Sequence, residues 1–205
     1  MGRPGVASHQ GGALRARATV VFIDESGFSQ RPSIRRTWAP RGETPVTDDH
    51  VNWKRLSAMG GIAWRPGRPD TRLFLSLRPH SIRQGDVVSF LASLHRHIRG
   101  RVVVVWDRLS SHRGGQVRKY IEANARWLTV EWLPPYAPEL NPVEQVWANL
   151  EGCELANYTA DDLDELAVQI ERGKRRMRRR GHGLGFIKHT TLLSPTDFNL
   201  LCKAH

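Results

Sequence analysis

A chain of 205 residues with 40% hydrophobic content and seven tryptophans is long enough to bury a core, which excludes an intrinsically disordered protein. Lys and Arg outnumber Asp and Glu by 31 to 20, which favours a polyanionic partner, most simply nucleic acid, over a generally basic protein from an arginine-rich proteome. The two cysteines, Cys153 and Cys202, have no zinc-ligand spacing and indicate reduced thiols in a cytosolic protein. No run approaches the roughly 18 apolar residues that span a membrane.

The first half of the chain predicts an antiparallel meander. Residues 1–17 are rich in Gly, Arg and Ala and predict a flexible leader. The β-branched run from Ala18 to Asp24 predicts a central strand that ends at Ser26-Gly27. Three more strands are predicted at 35–42, closed by a turn and anchored by Trp38, at 54–64, weakened or bulged by Gly60-Gly61, and at 71–77.

The second half alternates helices and strands. Helical spacing of apolar residues predicts a helix over 85–98, and the valine run from Arg101 to Trp106 is typical of a strand covered on both faces. The remaining predicted elements are a helix at 114–125, a strand at 127–133, a helix from Pro142, a long helix at 161–180 and a loose tail with a short helix after Pro195. This order predicts parallel strands with crossover helices. The expected fold is therefore α/β, a mixed sheet with helices on both faces.

Three acidic residues stand where elements end or begin. Asp24 ends the first strand, Asp107 follows the valine run, and Glu144 lies in the first turn of the helix from Pro142. Carboxylate oxygens are the ligands that Mg²⁺ prefers, and two such ions can serve both ends of a phosphodiester displacement. Three convergent carboxylates therefore predict a metal site, whereas an Asn141 N-cap with Glu144 three residues later is also the pattern of a structural capping box.

Two neighbouring acids compete for these roles. Glu25 follows Asp24 directly, and alternation along a strand allows only one of the two to face the site. Glu139 precedes Glu144 but lies in the loop before the helix. His95 and His97, two apart on a predicted helix, point to different sides and predict no metal pair.

Together the segments FIDESGF, VVVVWDRLSSH and LPPYAPELNPVEQVWANLE resemble the DDE transposases of the mariner-like superfamily, most closely its bacterial insertion-sequence branch. The resemblance covers about residues 18–158, and the 37 positions from Asp107 to Glu144 are close to the short spacing of that superfamily. It implies a ribonuclease H-like catalytic domain over 18–160, after the leader 1–17 and before a C-terminal helix and basic tail over 161–205.

The resemblance also implies the chemistry. Asp24 would bridge two Mg²⁺ ions, for which Mn²⁺ substitutes, while Asp107 completes one site and Glu144 the other. Water would first cut a DNA strand at the element end, and the freed 3′-OH would then attack target DNA. Asn141 and His112 match positions that could contact substrate or orient a carboxylate, although His112 could equally start a helix.

The C-terminal basic run has two interpretations. It comprises Arg172, Lys174, Arg175, Arg176, Arg178, Arg179 and Arg180. These residues form either a phosphate-gripping arm that ignores DNA sequence or a solvated helix end that complements the helix dipole. The strongly basic net charge favours the arm.

The expected partners are transposon ends and target DNA, bound by a homodimer at the bacterial nucleoid in the cytoplasm. The first catalytic strand begins near residue 18, so the resemblance implies a separately encoded helix-turn-helix half. The chain departs from the family at Arg108, commonly Asn, and at Gly152-Cys153-Glu154, where basic residues are usual. The alternatives are an inactive DNA-binding remnant of a transposase and another ribonuclease H-like nuclease.

Overall fold

The computed structural model describes residues 18–31, 33–44, 54–65, 68–107, 114–134, 138–179 and 182–189. Its strands are β1 (Thr19–Ser29), β2 (Arg55–Trp64), β3 (Thr71–Arg78), β4 (Val102–Trp106) and β5 (Leu128–Trp132). Its helices are α1 (Gln84–His97), α2 (Gly115–Ala123), α3 (Val143–Cys153), α4 (Leu163–Arg179) and α5 (His182–His189), with a 3₁₀ turn at Pro138–Leu140 before α3. The predicted leader and the predicted helix after Pro195 lie outside these ranges.

The strands form one five-stranded sheet in the order β3-β2-β1-β4-β5. β1 and β2 pair antiparallel, as do β2 and β3, while β4 runs parallel to β1 and β5 parallel to β4. The predicted meander followed by parallel units is confirmed. β1 lies at the centre because its run from Val20 to Ile23 is apolar on both faces and fully buried.

The helices cover both faces of the sheet. Val21 and Ile23 of β1 pack in one core cluster with α1 and α2. Val20 and Phe22 pack in the other, with α3, α4 and α5. Because successive strand side chains alternate, Asp24 shares the α3 side with Phe22. This alternation decides which acid of the Asp24-Glu25 pair faces the candidate site.

The predicted strand over 35–42 is wrong. Its residues form no strand, and Trp38, expected as an anchor, is 100% exposed. The segment is held instead at its base by Asn157, whose side chain accepts a hydrogen bond from the Arg35 N–H at 2.7 Å and donates one to the Arg35 carbonyl oxygen at 3.0 Å. A side chain 122 residues away thus takes the backbone groups that a neighbouring strand would have used.

Two further expectations about the strands are also wrong. β1 does not end at Ser26-Gly27 but continues to Ser29, because β2 keeps pairing with it, with Gly27 opposite Ser57. Gly60-Gly61 does not bulge β2, since Gly60 pairs with Asp24 and Gly61 with Ile23 in unbroken register. The two glycines instead leave room for side chains that cross the sheet on either face.

The tail predicted to be loose begins with a helix, α5. Ile187 of α5 is 1% exposed and packs in the same core cluster as Met177 of α4. Burial of this apolar side chain explains why a short segment with little helical signal is helical. No helix in the described ranges is both long enough and apolar enough to cross a membrane.

Candidate active site

Asp24 lies within β1, and Asp107 directly follows the neighbouring strand β4. In the parallel pairing of β1 and β4, Phe22 lies opposite Val105, and each aspartate comes two residues further along its own strand. Alternation places both aspartates on the side that Phe22 and Val105 share, which α3 covers. The two aspartates therefore converge as expected, although Asp24 lies within β1 and not at its end.

The start of α3 is pinned to β1 beside Asp24. The Asn141 amide nitrogen donates a hydrogen bond to the Ile23 carbonyl oxygen at 2.9 Å, and its amide oxygen accepts one from the Val143 N–H at 3.2 Å. Asn141 is 3% exposed, so its amide is used to dock the helix and is not open to substrate. Glu144 follows in the first turn of α3, near enough to both aspartates to interact with them electrostatically.

The start of α3 does not form the capping box in which Glu144 would have had a purely structural role. α3 begins at Val143, with Pro142 in the N-cap position. The Asn141 N–H that a capping box would use donates instead to the Pro138 carbonyl oxygen at 2.8 Å. The backbone of the 3₁₀ turn therefore satisfies this donor, and the Glu144 carboxylate is not needed for it.

The carboxylates are electrostatically coupled. Burial first of all, and then the charges of Glu144, Glu25 and Asp107, together raise the pKa of Asp24 to about 7, against the lowering effect of a hydrogen bond from Trp147; Asp24 is 8% exposed. Burial likewise raises the pKa of Glu144, with added repulsion from Asp107. Asp24 and Glu144 are thus both destabilised as anions, which is the condition that a bound cation relieves.

The competing acids lie elsewhere. Glu25 pairs across the sheet with Met59, which belongs to the core cluster on the α1 and α2 side. Glu139 is exposed in the 3₁₀ turn. His112 and Arg108 lie outside the described residues.

The carboxylate oxygens of this site suit a hard divalent cation. Asp24, Asp107 and Glu144 supply carboxylate oxygens, the ligand type that Mg²⁺ and Mn²⁺ prefer. Within the described ranges, no three His, Cys, Asp or Glu side chains form a group that could hold a metal ion as they stand. Mg²⁺ commonly uses one or two carboxylates and completes its shell with water and substrate phosphate, so this donor set fits such an ion.

The basic run on α4 is divided between exposed and paired side chains. Arg172, Arg175, Arg178 and Arg179 are exposed. Lys174 forms an ion pair with Glu171 at 2.8 Å. Arg176 binds Glu154 through two nitrogens, at 2.6 and 2.8 Å, and also reaches Asn149 on α3. Arg180 lies outside the described residues.

Arg176 is therefore a structural link between α4 and α3 rather than a free phosphate ligand. We expect Arg176→Ala to lower the free energy of unfolding by roughly 2–3 kcal/mol, because it leaves the Glu154 carboxylate, whose side chain is 9% exposed, without its partner. The exposed neighbour Arg175→Ala should change stability by no more than about 0.5 kcal/mol. Urea unfolding at pH 7 measures both, and equal stabilities of the two variants would contradict this role.

Two residues beside the carboxylates, Trp147 and Gly60, have roles that the sequence did not predict. Trp147 donates a hydrogen bond from its indole nitrogen to Oδ2 of Asp24 at 2.8 Å. Gly60, opposite Asp24 on β2, leaves the space that the indole fills. The spacing of three between Glu144 and Trp147 was a signal, since such residues share a helix face; nothing in the sequence pairs Gly60 with Asp24.

The family model described as DDE superfamily endonuclease matches residues 19–167. The comparison with curated proteins found no match. Three similar solved structures are the mariner Mos1 paired end complex with Mg (TM-score 0.57, 16% identity, 87% of this chain and 55% of that chain), a pre-cleavage Mos1 transpososome (0.56, 15%, 95% and 57%) and the catalytic domain of Mos1 mariner transposase (0.50, 16%, 95% and 85%).

At this level of identity the likeness establishes the fold, which is ribonuclease H-like as the family resemblance implied. The chain spans little more than half of the Mos1 chains in the two complexes, 55% and 57%. The family model, in contrast, covers the sheet, the three acidic positions and the start of α4. The chain belongs to the DDE superfamily of endonucleases.

Proposed function

We propose that this chain is the catalytic domain of a transposase of the mariner-like superfamily, bacterial insertion-sequence branch, which cuts DNA strands and joins the freed 3′ end to target DNA. The observation that carries the proposal is that Asp24 on β1 and Asp107 directly after the parallel strand β4 share one face of the sheet, with Glu144 in the first turn of α3 near enough to interact electrostatically with both. The burial of Asp24 and the neighbouring carboxylate charges, which together raise its pKa to about 7, support a cation-binding role.

The proposed cofactors are two Mg²⁺ ions, with Mn²⁺ as a substitute. Asp24 would serve both ions, Asp107 one and Glu144 the other. When bound, the ions stabilise the charge that develops on the phosphate and on the attacking and leaving oxygens. The three side chains would position those ions. Asp24, whose pKa is about 7 in their absence, would release its proton when they bind. The same carboxylates serve cleavage by water and attack by a 3′-OH, because only the attacking oxygen differs.

The proposed partners are transposon ends and target DNA, bound by two copies of the chain in the bacterial cytoplasm at the nucleoid. The similar Mos1 structure with the highest of the quoted TM-scores is a paired end complex, which supports a two-ended assembly. A separately encoded helix-turn-helix half would recognise the ends. His112 remains a proposed substrate contact at this site.

The first test is nicking of supercoiled plasmid DNA with Mg²⁺ or Mn²⁺ by the wild type and Asp107→Ala at equal purity. We expect metal-dependent nicking by the wild type that the variant has lost. Equal nicking by both would point to a contaminant. If neither nicks, the chain is joined to an end-binding module and tested on element-end DNA, where continued inactivity would favour a DNA-binding remnant.

The four exposed arginines of α4 are the proposed contacts to DNA phosphates. Replacing Arg172, Arg175 and Arg179 by Ala should weaken binding to any duplex and reduce the slope of log K against log salt by roughly 0.9 for each lost contact. Fluorescence anisotropy of a mixed-sequence duplex over a NaCl series measures both effects.

The control removes the same charge from a separate surface beside the start of β1, by replacing the exposed Arg65, Arg68 and Arg99, which lie near Thr19. This variant should keep most of the salt slope. If both triple variants lose the same slope, binding is diffuse and the proposed arm on α4 is wrong.

A further inference from the structure

Trp147 makes a direct hydrogen bond to one of the proposed metal ligands. It lies on α3 one turn after Glu144 and is 4% exposed. Its indole N–H donates to Oδ2 of Asp24 at 2.8 Å, and Asp24 is itself buried. An indole nitrogen is a donor only, so Oδ2 of Asp24 is the acceptor in this contact. A buried tryptophan paired with a buried carboxylate is therefore a specific arrangement rather than general packing.

The indole is fixed in place from several sides. A Cβ on Gly60 would come within 2.4 Å of Cη2 of Trp147, so the ring lies directly against the backbone of β2 where β2 pairs with Asp24. Phe28 packs edge-on against the ring with centroids 5.8 Å apart. Val143 also packs here, since Cγ1 of Val143 would lie 3.2 Å from a Cβ on Gly60. These contacts leave the Trp147 ring little freedom to move away from Asp24.

A fixed donor restricts how the Asp24 carboxylate can turn. A free aspartate rotates broadly about its terminal torsion, which would spread its two oxygens over many orientations. With Oδ2 held by Trp147, rotation about this torsion is restricted, and Oδ1 is the oxygen left without this partner. Metal sites in proteins use such outer partners to orient a ligand before the ion binds.

We propose that Trp147 is a positioning residue that holds the Asp24 carboxylate in its metal-binding orientation through Oδ2, and that Gly60 is required to admit the indole. This inference rests on the proposed function, since it takes Asp24 as a metal ligand. It assigns the indole no contact with DNA or with the ion. It also explains why a large aromatic residue sits within the acidic site on α3.

The test measures metal binding directly, without DNA or activity. Mn²⁺ affinity is determined by the electron paramagnetic resonance signal of free Mn²⁺ for the wild type, Trp147→Phe, Asp24→Asn and Trp127→Phe. Trp127 is the matched control, because its indole N–H also donates to one side chain, Asn124 at 2.9 Å, but on the other face of the sheet. We expect Trp147→Phe to weaken Mn²⁺ binding about tenfold and Trp127→Phe to leave it unchanged.

A second variant separates the hydrogen bond from packing. Benzothienylalanine at position 147 keeps the shape of the indole but replaces its N–H by sulfur, so it should weaken Mn²⁺ binding as Trp147→Phe does even if the Phe variant folds poorly. Wild-type affinity in both 147 variants, with affinity lost in Asp24→Asn, would overturn the positioning role and leave the proposed function intact. Wild-type affinity in Asp24→Asn would overturn the proposed metal site itself.

Discussion

Asp24→Asn should abolish metal-dependent DNA cleavage, by roughly 10³-fold or more, and at the same time make the metal-free chain more stable at pH 8. The loss of cleavage follows if Asp24 is a metal ligand, because the amide carries no charge to hold a divalent cation. The gain in stability follows from its burial, since Asn has the same shape and its oxygen can still accept the Trp147 hydrogen bond.

The stability effect has a defined pH dependence. Asp24 has a pKa of about 7 in the folded chain against its usual 3.8, so between these values the folded state holds a proton that the unfolded state has released. The contribution of this group to stability is therefore present below 3.8, falls as pH rises through that window and is lost above about 7. Relative to wild type, Asp24→Asn should gain up to about 4 kcal/mol at pH 8 and little near pH 4.

Urea unfolding in the presence of EDTA at pH 4, 6 and 8 measures the gain, and plasmid nicking measures the loss. Asp70→Asn is the control, because Asp70 is exposed at the start of β3 and should affect neither quantity. A variant that is inactive but no more stable at pH 8 would contradict the electrostatic account of this site. A variant that cleaves DNA at the wild-type rate would remove Asp24 from the proposed mechanism.

Gly60→Ala should destabilise the fold by roughly 1–3 kcal/mol, the usual range for overpacking a tight core. The new methyl group would lie 2.4 Å from Cη2 and 2.7 Å from Cζ2 of Trp147, both atoms of a ring that is held by its own contacts. Either β2 or α3 has to shift, and a shift of α3 would carry the indole away from Asp24. Urea unfolding measures the stability. We also expect weaker Mn²⁺ binding, measured by the electron paramagnetic resonance signal of free Mn²⁺ as for Trp147→Phe.

Gly27→Ala is the matched control, because Gly27 also lies in a paired strand but a Cβ there would meet no heavy atom within 4 Å. It should be neutral or stabilising by about 0.4–1 kcal/mol. In a Trp147→Phe background, Gly60→Ala should cost less than in the wild type, since the smaller ring leaves space. An unchanged cost in that background would show that the clash with Trp147 is not the cause.

The sequence by itself determined most of the fold, because its strands and helices depend on local pattern. The β-branched runs of β1 and β4 and the helical spacing in α1 are enough to specify these elements and their order. The predicted strand over 35–42 failed for the opposite reason. Its backbone groups at Arg35 are hydrogen-bonded by Asn157, 122 residues away, and no local sequence pattern predicts such a distant partner.

The acidic positions were also readable from the sequence, because each adjoins a recognisable apolar run or helix start and together they carry a family motif. Only the tertiary structure decided how they are supported. The register of β1 and β2 places Gly60 opposite Asp24. Asn141 attaches α3 to β1 by a hydrogen bond, and Trp147 on α3 donates a hydrogen bond to Asp24. Register and helix docking arise from packing between distant segments, so a linear motif can name the charged residues but not the neutral ones that orient them.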